Sequence, residues 1–250
     1  TASLLTWASD NPEVISVDKT GKLKVHTTKT ASAVITASYG PVVQNVTVTV
    51  ADGRFWYSLG NGLGNGLDNN WYLDGNNASV VSSDGNKTTV QMGSGYRGDL
   101  WLARSGKGKI VNVTPADYRY FAIKVGFKSQ LVPGKNKPNG CIKLEIFDDG
   151  IKKIGPEYFG TGGDANNRYE ILGASEISTT EPNVLYYDLQ SKYKTVTPTD
   201  WNQVFDLVQC KFVIADFPET AQTYDLYWIR SFKSIEELQA FVDSENNTNE

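Results

Sequence analysis

The first pattern in this chain is alternation. Val46, Val48 and Val50 stand against Thr47 and Thr49, the period-two signature of a half-buried strand. Short apolar runs at 4–7, 14–17, 23–25, 33–39 and 43–50 predict five strands. Turn formers separate them, among them Ser9-Asp10-Asn11-Pro12 and Asp18-Lys19-Thr20-Gly21. Ala51-Asp52-Gly53 then marks a seam, which divides the chain into residues 1–51 and 52–250.

Beyond the seam the apolar runs recur at 55–59, 79–82, 88–91, 99–103, 118–127, 141–147, 184–189, 205–214 and 224–232. Gly, Asn and Pro loops part them, and no helical period falls between. Strands spaced this way predict an all-β chain, with an antiparallel sandwich or jelly roll in the larger part rather than βαβ units. One helix is predicted near the end. Ser234 can cap it, Glu237 stands at the third position, and Leu238, Phe241 and Val242 form one apolar face. This helix is expected to close one end of the sandwich.

Composition narrows the function. At 40% hydrophobic the chain can build a core. No window approaches the ~18 uninterrupted apolar residues of a membrane helix. The net charge of −4 is uneven, because the segment from Ser234 holds Glu236, Glu237, Asp243, Glu245 and Glu250 without a base. No basic stripe exists to neutralise phosphates, so nucleic acid is not an expected partner. The single histidine, His26, lies before the seam and reads as a strand residue of the small unit. The larger unit therefore lacks the imidazole that Ser-His-Asp, Cys-His or His-rich metal chemistry would use.

Three motifs carry possible chemistry, each beside a plainer reading. Gly60-Asn61-Gly62-Leu63-Gly64-Asn65-Gly66 has a nucleotide-loop spacing, but no helix start follows it, so it reads as a turn-rich loop. Glu145 and Asp148 lie too far from a paired-carboxylate glycosidase pattern, and Asp148-Asp149-Gly150 reads as a hairpin turn. No catalytic residue is assigned and no organic cofactor is expected. A structural Ca²⁺ ion is a candidate, with Asp68, Asp74 and Asp164 as its ligands among Asn-rich loops. Cys141 and Cys210 form either one disulfide or two buried thiols.

The aromatic residues carry the strongest compositional signal. Six Trp and 13 Tyr are present, and Trp56, Trp71, Trp101, Trp201 and Trp228 all follow the seam. Sugars stack their C–H faces on such rings while amides and guanidinium groups bond their hydroxyls. Residues 68–104 hold that mixture. Trp71 and Tyr96 are the expected stacking platforms, Asn69, Asn70 and Arg97 the hydroxyl partners, with Tyr72 and Trp101 beside them. Trp56, Trp101 and Trp228 lie in predicted strands and read as core residues, Trp228 because it alternates with Leu226.

The string TWASDNPEVISVDKTGKLKV, with ASAVITASYG and VTVTV, resembles the C-terminal part of a group 2 bacterial Ig-like domain. The closing TYDLYWIRSFKSIEELQAFV is similar to the last strand and acidic helix of galactose-binding-like modules in surface lipoproteins of Bacteroidetes. The resemblance implies an extracytoplasmic address, at the cell surface or in the periplasm, with a lipid anchor upstream of Thr1. It also implies non-catalytic binding of poly- or oligosaccharides within a polysaccharide-capture system, with other surface proteins as further partners. A structural or adhesive protein-contacting module is the rival expectation, and a hydrolase or lyase the third.

Overall fold

A computed structural model of the chain describes residues 4–26, 31–50, 54–64, 71–74, 78–92, 98–104, 107–108, 111–113, 117–130, 143–148, 169–190, 205–214 and 222–248. The chain divides into two compact units, Thr1–Gly53 and Arg54–Glu250.

In the first unit the five strands are β1 (Thr6–Ser9), β2 (Ile15–Val17), β3 (Leu23–Val25), β4 (Ala31–Tyr39) and β5 (Val42–Val50). They form an antiparallel sheet of order β1-β4-β5 and a separate β2-β3 pair. Ile15, Ala33 and Ile35 make a small core, with Trp7, Val14, Val17, Val48 and Val50 packed around it. Val46 continues the apolar row of β5 but is exposed, because this core stops at Val48. The predicted turn before β3 forms around Asp18, whose Oδ1 accepts from the Thr20 hydroxyl (2.6 Å), the Thr20 N–H (2.8 Å) and the Lys22 N–H (3.0 Å). Gly21 follows at φ +85°, and a Cβ there would meet the Trp7 ring at 2.7 Å, so glycine is needed twice over. His26 lies just past β3, exposed, with its Nε2 2.7 Å from Ser16 Oγ.

The second unit is a sandwich of two antiparallel sheets. Its strands are β6 (Trp56–Ser58), β7 (Tyr72–Asp74), β8 (Ser79–Ser83), β9 (Thr88–Gln91), β10 (Gly98–Arg104), β11 (Lys107–Gly108), β12 (Val111–Val113), β13 (Tyr120–Phe127), β14 (Lys143–Asp148), β15 (Glu170–Ile171), β16 (Asn183–Asp188), β17 (Phe205–Ile214) and β18 (Thr223–Phe232). One sheet runs β11-β10-β17-β12, with β7 on β10 and β14 on β17. The other runs β15-β16-β13-β18-β9-β8, with β6 also on β18. Each predicted strand beyond the seam has a counterpart here, and β7, β11, β12 and β15 are additional to them.

The core between the sheets takes Leu100, Leu102, Leu144, Ile146, Cys210 and Phe212 from one side. Phe121, Ile123, Val125, Leu185, Tyr187, Leu226 and Ile229 meet them from the other. Phe212 lies 5.6 Å from Phe121 and 5.7 Å from Tyr187, tilted on both. Cys210 is a free thiol wholly inside this core, and burial raises its pKa; Cys141 lies outside the described residues.

The predicted helix is α1 (Ile235–Thr248). Ser234 Oγ accepts the Glu237 N–H at 3.2 Å, and the Glu237 carboxylate accepts the Lys233 N–H at 2.7 Å, a capping box reaching one residue further back. Its position corrects the expectation. Rather than closing an end of the sandwich, α1 covers the outer face of the second sheet, where Leu238, Phe241 and Val242 pack on Ala122, Val184, Trp228 and Phe232. An apolar stripe of three residues needs a surface as apolar as itself, and β13, β16 and β18 present one on both faces.

Candidate functional site

Alternation along β7 decides where the expected binding residues go. In register, Tyr72 stands opposite Trp101 and Leu73 opposite Leu100. Leu100 and Leu73 belong to the inter-sheet core, and Trp71 shares their side. Trp71 is 0% exposed, with its ring 5.9 Å from both Tyr57 and Phe212. The expectation of an exposed stacking platform is therefore corrected: Trp71 stands two residues before Leu73, on the core side of the sheet. Trp101 and Tyr72 do come together, as a cross-strand pair on the sheet's outer face. Trp101 is only 7% exposed, and the ammonium of Lys211 sits 4.5 Å from its ring centre and 3.3 Å from Asp99. At that exposure the ring is closed to a ligand, with the cation held against it. Asn69, Asn70, Tyr96, Arg97, Asp68, Asp164 and Trp201 lie outside the described residues, and Asp74 stands opposite Asp99 in register. Among the described residues, no three His, Cys, Asp or Glu side chains gather around a metal position.

The outer face of the second sheet offers a different site. The register between β13 and β18 slips at Lys124/Val125: Lys124 faces Trp228, yet Val125 faces Leu226. Tyr227 is the extra residue of a β-bulge. This bulge overrides the alternation expected of Trp228. Leu226 points into the inter-sheet core, and Trp228, two residues on, points the other way and is buried beneath α1.

Tyr227 lines a cleft of about 750 Å³ together with Lys124, Val184, Val242, Glu245 and Asn246, and with Asn86, Glu181 and Pro182 at its rim. Val184 and Val242 are apolar and the Lys124 ammonium lies 5.5 Å from the Tyr227 ring centre. Burial raises the Tyr227 hydroxyl above its ordinary pKa, with the Lys87 charge pulling the other way, so the phenol is a neutral donor and acceptor at physiological pH. Glu245 ties the α1 wall to the sheet. Its Oε2 accepts from Lys124 Nζ and from Trp228 Nε1, both at 3.1 Å, and its Oε1 lies 3.8 Å from Arg230.

Beside the cleft, β18 carries a buried carboxylate. Asp225 Oδ2 accepts from both Lys87 and Lys128 at 2.8 Å, and Oδ1 from the Thr89 hydroxyl at 2.7 Å. Burial pushes its pKa up, but these donors outweigh burial and hold the carboxyl below its ordinary value. They also pin the β8–β9 hairpin that presents Asn86. Glycine completes that anchor. Gly85 donates its N–H to Gly60 O at 3.0 Å, and a Cβ on Gly60 would strike the Gly85 carbonyl at 2.3 Å.

Among the described residues, one tryptophan is open. Trp56, expected in the core, is 42% exposed, because β6 pairs over only three residues and its first side chain stands at the edge of what α1 covers. Its ring packs edge-on against Phe232 (5.7 Å) and Phe241 (5.3 Å). The guanidinium groups of Arg54 and Arg230 lie 4.0 and 4.4 Å from its centre. Sequence reasoning missed Tyr227, Lys124 and Glu245. The one signal available was the apolar and aromatic run Leu226-Tyr227-Trp228-Ile229, too long without a polar break for a strand facing one core.

No curated protein matches the chain. Among solved structures it is similar to SGBP-B from a complex xyloglucan utilization locus in Bacteroides uniformis, at 10% identity and a TM-score of 0.33. The match covers 92% of this chain and 65% of that one, so this chain accounts for less than two thirds of that protein's length. The family model described as Domain of unknown function (DUF4979) matches residues 62–238, which takes in the strands from β7 to β18 and ends within the first turns of α1. With most of its length inside that match, the chain belongs to the DUF4979 family.

Proposed function

We propose that the second unit is a non-catalytic glycan-binding module, acting outside the cytoplasm, and that it holds its ligand in the cleft beside α1. The observation that carries this reading is the composition of that cleft. An aromatic side chain, Tyr227, stands among two amides, Asn86 and Asn246, two carboxylates, Glu181 and Glu245, and an ammonium group, Lys124. A pyranose ring needs this combination, a flat apolar face for its C–H groups and short-range donors and acceptors for its hydroxyls. Binding rather than turnover fits the acids. Glu245 spends its oxygens on Lys124, Trp228 and Arg230, in bonds that hold α1 down, so among the described residues the cleft lining lacks a second free carboxyl to pair with Glu181.

A cleft of this size covers one or two sugar rings, and affinity per site falls in the range of about 10⁻⁶ to 10⁻³ M. The test is isothermal titration with soluble xyloglucan, xylan, galactomannan and mixed-linkage β-glucan. At least one of them binds, and Tyr227→Ala weakens it by tenfold or more (about 1.4 kcal/mol or more). Binding unchanged in Tyr227→Ala would place the site elsewhere. A structural Ca²⁺ near Asp68, Asp74 or Asp164 belongs to the same reading, and a melting temperature lowered by EDTA is its expected sign. A protein-contacting role has one observation in its favour, the exposed Trp56 with Arg54 and Arg230. Loss of partner capture in Trp56→Ala, with glycan binding silent, would prefer it.

A further inference from the structure

Charge in and around the cleft points to the class of sugar it accepts, an inference that rests on the glycan-binding reading. Among the described residues that line the cleft, the cation Lys124 faces two carboxylates, Glu181 and Glu245. Lys124 is paired with Glu245 at 3.1 Å, and Arg230 lies 3.8 Å from the same carboxylate. Lys87 and Lys128 both sit 2.8 Å from Asp225. The Lys87 pKa is raised, first by its hydrogen bond to Asp225, with the charges of Asp225, Tyr227 and Asp84 adding to it. Glu181 brings a further carboxylate to the rim, on an exposed residue. From α1 the cleft takes Val242, Glu245 and Asn246, and the helix has no basic residue.

We infer that the cleft selects neutral glycans and rejects those bearing uronate or sulfate groups. A ligand carboxylate entering here would meet Glu181 and would have to displace Glu245 from Lys124. That exchange leaves a protein carboxylate stripped of its partner in a half-buried site, which costs more than the new pair returns. A neutral ring makes no such demand. Its hydroxyls donate to Glu181 and Glu245 and accept from Asn86, Asn246 and Lys124 without breaking an ion pair.

Salt separates this mechanism from a simple lack of fit. The full chain is titrated in EDTA with neutral oligosaccharides of galactomannan and β-glucan, and with polygalacturonate and chondroitin sulfate oligosaccharides. The series runs at about 20 mM and about 300 mM NaCl, which shortens the Debye length from about 20 to about 6 Å. Neutral ligands bind with the same affinity at both. Acidic ligands bind at least about tenfold more weakly at low salt, and the gap narrows at high salt as repulsion is screened. Glu181→Lys raises the ratio of acidic to neutral affinity. Acidic oligosaccharides binding as tightly as neutral ones, and losing affinity in Tyr227→Ala, would overturn the selectivity while leaving the glycan reading intact. No binding by either class would overturn both.

Discussion

Trp71→Ala distinguishes a core tryptophan from a ligand platform. The side chain is 0% exposed and packs between Tyr57 and Phe212 at 5.9 Å from each. A fully buried aromatic removes roughly 150–250 Å² from water. At about 25 cal/mol per Å² that is about 4–6 kcal/mol, close to the 3–5 kcal/mol typical of large aromatic-to-Ala core changes. Trp71 Nε1 has no hydrogen-bond partner among the described residues, so the loss is one of packing. For a unit of this size each kcal/mol shifts Tm by about 2–4 °C, which predicts a fall of about 6–20 °C. Scanning calorimetry of wild type, Trp71→Ala and Trp71→Phe reads it directly, and the Phe variant, which leaves a smaller void, falls between the other two. A Trp71→Ala protein that melts within about 1 °C of wild type and has lost glycan binding would refute the assignment of Trp71 to the core.

Asp225→Asn costs about 2 kcal/mol at neutral pH in urea unfolding, less than a wholly buried pair because Lys128 is half exposed. Its folded pKa is depressed, so its contribution is present above the ordinary carboxyl pKa of 3.8 and fades as pH falls below it. The acid limb of the stability profile is therefore shallower in Asp225→Asn than in wild type, and parallel limbs would contradict this. Ser234→Ala removes the α1 cap and costs about 1 kcal/mol, seen as lower helical signal at 222 nm and a lower Tm. In a Cys141→Ser background, Cys210 resists iodoacetamide in the native protein and reacts once the chain is unfolded; rapid native labelling would place it outside the core.

Much of the fold was legible because the strands are short, aromatic or β-branched, and bounded by Gly, Asn and Pro. The α1 cap was legible for a local reason too, since Ser234 and Glu237 act within one turn of each other. What could not be read was which face each aromatic takes. Trp71 lies inside because β7 pairs with β10, a contact between residues distant in sequence. Trp228 lies under α1 because one extra residue, Tyr227, enters β18, and a bulge of that kind shifts every later side chain to the opposite face. Trp56 is open because β6 is short and sits where α1 ends its cover. The cleft is assembled from β13, β16, β18, α1 and the β8–β9 hairpin, so no contiguous motif announces it.

The most direct test of the central claim uses the indole proton of Trp228, which is bonded to the cleft residue Glu245 at 3.1 Å. Neutral oligosaccharide is titrated into ¹⁵N-labelled protein, with the Trp228 resonance assigned by its absence in Trp228→Phe. The account predicts that the Trp228 indole signal moves in proportion to binding and that Tyr227→Ala abolishes the shift. Saturable glycan binding that leaves Trp228 unmoved while another indole shifts would contradict it.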